Sequence, residues 1–428
     1  MNSVGASLTL ARELRDICGG ENITEDPAEL QWKQVAGCIP GIAVAPASAD
    51  EVAAVLRVAG EHALNVVPAG GFTRRQAGSA PAPIGILLLT SRLQELEHYD
   101  PGDLTIGVGA GWTIAQLAEK VSSDGLLFAG ESAQPQRSTI GGLLTAGLTG
   151  PLRHGYGGLR DYCIGIRFVT GDGRKGKGGG RVVKNVAGFD LMKLLIGSWG
   201  TLAVITGASF KLFPAPRQTR TFVAEFASAA EAVSFRDHVL RTPLSPMCLE
   251  LASPGASQQA TTAWSMYIRA AGSEAVLARY RSELGAAVTG EITGEEEAAA
   301  WRYLRDYPQG DDDRGSPTLV FALSLPLSEV LPTLSRISAL CDAGGLRFGI
   351  IGRIGVGHLM VQLHGDPQAD FASFLTALRG DLSREASMAV LSGGHSDAWK
   401  SPTNWRTMHA VKQTLDPHGI LNRGRFRF

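Results

Sequence analysis

Apolar and polar positions alternate along this chain with two different periods, and the switches between them divide it into elements. Leu10, Leu14 and Ile17 recur on one face of a short helix predicted over 7–17. After a loop-like stretch around Trp32–Cys38, the apolar run Ile42–Ala45, closed by Pro46, predicts a strand. Ser48 with Glu51 three residues later has the form of a capping box, and Val52, Val55, Leu56 and Ala59 follow at helical spacing. Leu64–Val67 is the next predicted strand, so the stretch reads as an α/β unit. A second such unit is expected from strand Leu104–Val108, a helix carrying Ile114, Leu117, Ala118 and Val121, and a strand about Leu126–Phe128. A glycine-rich tract runs from Gly130 to Gly165. Beyond it, predicted strands Ile164–Thr170 and Arg181–Lys184 flank a basic glycine-rich loop at 171–180. A helix begins at Leu191–Leu195, and Thr201–Phe213 is a further strand region.

Pro214-Ala215-Pro216 interrupts both helix and ladder, which places a domain boundary there. Over 217–400, predicted strands (Thr221–Phe226, Thr318–Leu323, Leu359–Leu363) alternate with helices (Ala229–Leu240, Ser273–Leu284, Leu327–Cys341, Asp370–Arg379). This predicts an α+β domain whose sheet carries its helices mainly on one face. Asp311–Asp313 reads as a solvated acidic loop, and a last helix spans 402–415. The expected divisions are 1–35, an N-terminal helical segment; 36–216; 217–400; and 401–428, a terminal helix and tail. No internal repeat at fixed period is evident.

Composition removes several function classes. With 40 Lys+Arg against 41 Asp+Glu, the net charge of −1 gives no reason to expect nucleic acid as a partner. The longest apolar runs, such as Ile84–Leu89, fall far below the ~20 residues of a membrane span. Glu13, Arg15 and Asp16 interrupt any secretory apolar core, so a cytoplasmic location is expected, with peripheral attachment through partners left open. Cys18, Cys38, Cys163, Cys248 and Cys341 are scattered and form no C-x-x-C pair. Neither a disulfide framework nor a cluster held by this chain is expected, and no metal site is expected either. The 53 glycines do change the picture, because such excess marks turns or backbone that approaches a ligand closely.

Gly171-Asp172-Gly173-Arg174-Lys175-Gly176-Lys177 imitates a phosphate loop, but Gly178 stands where a hydroxyl is needed, so a hairpin is predicted. No G-x-G-x-x-G opens a helix after a strand, and no H-E-x-x-H is present. His358 and His364 flank a strand. Four glycine-rich pieces remain, each at a strand end or helix start. Pro68-Ala69-Gly70-Gly71-Phe72-Thr73 can turn successive N–H groups toward one anion, or be a plain turn. Ser138-Thr139-Ile140-Gly141-Gly142 sets two hydroxyls before glycines that admit a flat ligand. Lys184–Leu191 and Gly197–Thr206 follow, the latter including Gly200 and Ile205.

In this order the pieces resemble the FAD-binding half of the vanillyl-alcohol oxidase / p-cresol methylhydroxylase family. Arg181–Asp190 and the ending Leu415–Phe426 are similar to the FAD-binding (E) subunits of glycolate oxidases. The resemblance implies an α+β fold: a two-lobed FAD-binding domain of the p-cresol methylhydroxylase type and a ferredoxin-like α+β cap over 217–400. It implies FAD cradled at its pyrophosphate by Ala69 to Thr73, with Pro68 also binding the cofactor. Ser138, Thr139, Ile140, Gly141 and Gly142 would line the flavin and its ribityl chain. Ile205 would meet the adenosine through its backbone, Gly200 would also bind the cofactor, and Asn422 would lie near it on the returning tail. The first loop offers no histidine or cysteine, so non-covalent FAD is expected, with His154 the nearby exception. The implied substrate is a small 2-hydroxy acid, whose carboxylate needs a cation. Arg353 is the candidate clamp, with a surface or structural arginine as the plain alternative, and His358 is the second catalytic candidate. Catalytic relatives carry a G-D-G-N-x-H type segment, where this chain has Gly355-Val356-Gly357-His358. The missing acid and amide, with no cluster cysteines, imply partners: a second FAD-linked oxidase subunit and an iron–sulfur subunit. A non-catalytic assembly subunit and a free-standing sugar or alditol oxidase are the alternatives.

Overall fold

The computed structural model describes residues 3–180, 190–256, 262–307, 318–366, 368–393 and 405–425. The Arg181–Lys184 strand, most of the Lys184–Leu191 piece and the Asp311–Asp313 loop lie outside them. The chain forms two compact units. The first comprises Met1–Leu148, Gly158–Pro214 and Lys400–Phe428, and the second Thr149–Gly157 and Ala215–Trp399.

In the first unit, the parallel strands Ile42–Val44, Ile86–Leu89 and Val66–Ala69 form one small sheet, edged by antiparallel Ile23–Thr24. The helix Ala49–Glu61 connects two of them, burying Val52, Val55, Leu56 and Ala59. Ser48 caps it by accepting from the Glu51 N–H at 3.1 Å. The returning Glu51 carboxylate takes the Ala47 N–H at 2.8 Å, one residue earlier than a reciprocal box requires. A second sheet is antiparallel, in the order Leu96–Asp100, Thr105–Gly109, Ala203–Lys211, Cys163–Thr170, Lys175–Gly179. The expected second α/β unit is corrected here. Leu126–Leu127 pairs with Phe213–Pro214, whereas Thr105–Gly109 pairs antiparallel with Ala203–Lys211. Local pattern fixed these elements but not their long-range partners. The phosphate-loop imitation is a hairpin, with Cys163–Thr170 and Lys175–Gly179 pairing across the turn.

The second unit is built on one eight-stranded antiparallel sheet. Its order is Val288–Ile292, Thr219–Phe226, Trp264–Ala271, Cys248–Ala252, Arg347–Arg353, His358–His364, Thr318–Ser324, Ser387–Ser392. Each half runs strand, helix, strand, strand, helix, strand, the ferredoxin-like arrangement made twice. The halves join edge to edge through Cys248–Ala252 and Arg347–Arg353. The duplication is one of element order, so it leaves the expectation of no residue repeat at fixed period standing. Alternate residues of the strands, among them Leu249, Leu251, Ile350, Leu359, Val361 and Phe321, pack with helix residues such as Leu277, Leu334, Ile337 and Phe374 in a single core. The strand residues between them face the other way.

Candidate functional site

In the first unit, strand Val66–Ala69 ends in a loop, Gly70 to Thr73, that packs backbone-close against the segment before helix Ile140–Ala146. A Cβ on Gly71 would come within 1.7 Å of the Arg137 carbonyl oxygen, and one on Gly70 within 2.2 Å of Thr139 Oγ1. These glycines are therefore demanded by the neighbouring loop itself. Phe72 sits at φ 59°, a left-handed conformation that a bulky residue adopts only where its surroundings impose it. Thr139 caps the helix through the Gly142 N–H at 3.2 Å, and Ser138 donates to the Ala133 carbonyl at 2.7 Å while meeting Thr73 Oγ1 at 3.1 Å.

Between these loops lies a cleft. Pro68 to Thr73, Ser138, Thr139, Gly142, Thr145, Trp199 and Asn422 line it. An adjoining recess is lined by Gly141, Gly200 and Ile205, together with Pro68 and Trp199. Of the candidates for binding the cofactor, Ile140 alone stands off both walls: it is fully buried, and its N–H bonds the Trp112 carbonyl at 2.8 Å. Asn422 arrives on the chain's tail. Its N–H bonds the Val66 carbonyl at 2.9 Å and its Nδ2 the Trp199 carbonyl at 2.8 Å. Its Oδ1 is buried with no hydrogen-bond partner among the described residues.

Arg353 and His358 lie in the second unit. They are cross-strand partners, and the same register continues to Ser324 opposite His358. One step beyond the Leu251–Gly352 pair, Glu250 faces Arg353, with Nε to Oε1 at 3.8 Å, and Tyr267 stands opposite Glu250. Alternation places this row on the sheet face turned away from the helices. The row is nonetheless buried: Arg353 is 2% exposed, Glu250 0% and His358 4%. Arg353 is thus no surface arginine. His358 Nδ1 meets Ser324 Oγ at 3.1 Å. Arg353 Nε and Nη1 and His358 Nε2 have no hydrogen-bond partner among the described residues. Burial, then the charges of Arg353 and Arg153, hold His358 well below the usual histidine range, so it is neutral at pH 7. In the same unit, the His154 ring lies where a Cβ on Gly355 would meet it at 2.4 Å.

Residues 40–175 match the FAD binding domain family, and residues 215–426 the C-terminal domain of FAD linked oxidases. The chain is 30% identical over 341 residues to glycolate oxidase subunit GlcE of Escherichia coli (strain K12), covering 77% of this chain and 83% of that protein. The chain belongs to the FAD-linked oxidase family. It is also 32% identical over 212 residues to glycolate oxidase subunit GlcD of Bacillus subtilis (strain 168), a match that takes in 50% of this chain and 45% of that relative, less than half its length. The fold is that of p-cresol methylhydroxylase with substrate bound, at TM-score 0.77 and 16% identity over 98% of this chain and 96% of the other.

An FAD-linked oxidase needs a long groove with polar contacts for a flavin and a diphosphate, and the cleft fits. The interlocked glycine loops bring backbone to its wall, the Asn422 Oδ1 is an unused acceptor, and no carboxylate stands among the described residues that line it. Neither a cysteine nor a histidine stands there either. Sequence reading missed Trp199, Thr145 and Arg425 on this wall, and Glu250 and Ser324 in the buried row. An acid inside the apolar strand Cys248–Ala252 was the one available signal for Glu250.

Proposed function

We propose that this chain is the FAD-binding subunit of a complex that oxidises small 2-hydroxy acids, with glycolate the first substrate to try, and that its FAD is held non-covalently. The observation that carries the reading is the presence, in one FAD-linked oxidase, of a glycine-walled cleft and a buried Glu250–Arg353–His358 row ending at Ser324, in which Arg353 Nε and Nη1 and His358 Nε2 have no hydrogen-bond partner among the described residues. Pro68 to Thr73 are proposed to cradle the diphosphate. Ser138 to Gly142 would line the flavin, Gly200 and Ile205 the adenosine, and Asn422 would contribute its free Oδ1. Bound FAD supplies the hydride acceptor. Arg353, oriented by Glu250, grips the substrate carboxylate through its unused nitrogens. In the tautomer that donates Nδ1–H to Ser324, His358 keeps Nε2 as an acceptor and takes the hydroxyl proton.

Gly355-Val356-Gly357-His358, without an acid or amide, favours the second reading, an assembly subunit whose partner does the chemistry. A complex with a second FAD-linked oxidase subunit and an iron–sulfur subunit accommodates both. The test is an assay with glycolate, D-lactate and a dye acceptor, run on the purified chain and on the chain with its partners. Little turnover alone, restored by the partners and then lost in R353M, is expected. An R353M complex as fast as the wild type would leave only the assembly reading. Acid precipitation should release the flavin into the supernatant; colour retained in the pellet would point to a covalent link at His154.

A further inference from the structure

The tail brings a second group to the cleft besides Asn422. Arg425 lines the same wall and is only 5% exposed. Its Nη2 donates to the carbonyls of Arg74 and Arg75 at 3.2 and 3.0 Å, the two residues that follow the Pro68–Thr73 loop. Its Nη1 is buried without a hydrogen-bond partner among the described residues. The fork is thus fixed by neutral carbonyls on one side and left open on the other. No carboxylate among the described lining residues compensates it. A buried cation of this kind is unfavourable until an anion reaches it. Burial lowers its pKa to about 10, which still leaves it charged at neutral pH.

We infer that Arg425 is a cation clamp for the diphosphate of FAD, supplied by the tail beside the glycine loop. The inference rests on FAD occupying this cleft. Of the cofactor's parts, only the diphosphate carries permanent negative charge; the oxidised ring and the adenine are neutral. Backbone N–H groups of a glycine loop bring partial charge to a phosphate, and a buried guanidinium adds a full one through charge-assisted hydrogen bonds. The clamp also ties cofactor affinity to a docked tail.

The test measures binding of FAD, ADP and riboflavin to the flavin-stripped full chain by calorimetry, for wild type, R425Q and R425K. R425Q removes the charge while keeping an amide donor for the Arg74 and Arg75 carbonyls. The clamp predicts that R425Q weakens ADP and FAD by roughly 10- to 100-fold and leaves riboflavin unchanged. R425K, which keeps the charge, should lose less. Equal losses for ADP and riboflavin would mean that Arg425 only shapes the loop, and a loss for riboflavin alone would place the cation at the ring; either overturns the inference. Should R425Q fail to fold by circular dichroism, R425M, which also removes the charge, is measured in its place, and its ADP-to-riboflavin ratio decides in the same way. Wild type that binds no FAD would overturn the cleft reading itself, whereas wild type that binds FAD beside an indifferent R425Q would overturn the clamp alone.

Discussion

At the scale of single residues, the cleft depends on atoms that are absent. Gly71 is required because the Arg137 carbonyl occupies the place of its Cβ, 1.7 Å away, whereas a Cβ on Gly142 would meet Thr139 Oγ1 at 3.2 Å. G71A should therefore lose its flavin on purification and melt lower, while G142A should keep most of both. Flavin absorbance per protein and a melting curve compare the two, and equal retention would refute the interlocked-loop account. The buried row makes a different prediction. Arg353 lies 3.8 Å from a fully buried carboxylate, and removing one member of a buried charge pair typically destabilises by about 3–5 kcal/mol. R353M should fall in that range, and E250Q with R353M should recover much of the loss. Urea denaturation of both single variants and the double variant measures the coupling, and purely additive losses would separate the two residues energetically.

At the scale of elements, the last helix and its tail decide whether the cleft is complete. Lys412, on helix Trp405–Leu415, donates to Asp416 Oδ2 at 2.5 Å, to the Thr201 carbonyl at 2.6 Å and to the Leu421 carbonyl at 3.0 Å. Asp416 in turn accepts the N–H groups of Ile420 and Leu421 at 3.0 and 2.9 Å. This buried knot turns the chain so that Leu421 forms a parallel bridge with Val66, next to the strand that leads into the glycine loop. Burial lowers the Lys412 pKa while Asp416 opposes the shift. D416N should therefore loosen the tail and weaken FAD binding without touching a cleft-lining residue. Limited proteolysis should cut the D416N tail faster than the wild-type tail, and unchanged cleavage with unchanged FAD affinity would argue that the tail docks without the knot.

At the scale of the whole molecule, the buried histidine sets a pH dependence. His358 is held well below the ordinary histidine value, so it stays neutral in the folded chain while the unfolded chain takes up a proton below about pH 6.5. The unfolded state then binds more protons, and stability is present above that pH and lost as pH falls below it. The slope from one such group is roughly 1 kcal/mol per pH unit. His154 is lowered by burial as well, so the wild-type loss is a sum of at least two contributions. Melting temperature should drop from pH 7 to 5.5, and H358Q should drop less. Parallel curves for the two proteins would remove His358 from the account. Among the described residues no helix is long and apolar enough to cross a membrane.

The sequence by itself determined the elements with clear local periodicity: the helix at Ala49–Glu61, the glycine loop after Val66–Ala69, and three of the eight strands of the second unit, Thr219–Phe226, Thr318–Ser324 and His358–His364. It also carried the family, because its loops are short, contiguous and written in glycine and hydroxyl residues. Only the tertiary structure decided what those pieces meet. Leu126–Leu127 changed partners, and the two ferredoxin-like halves share an order of elements without a shared residue pattern. Glu250, Arg353, His358 and Ser324 lie on four strands, and register alone aligns them in one row. Arg425 and Asn422 reach the cleft across 351 and 223 residues of chain, through hydrogen bonds to Arg74 and Trp199. Local pattern encodes burial and turn chemistry, whereas strand register and tail docking are settled by packing between segments distant in sequence.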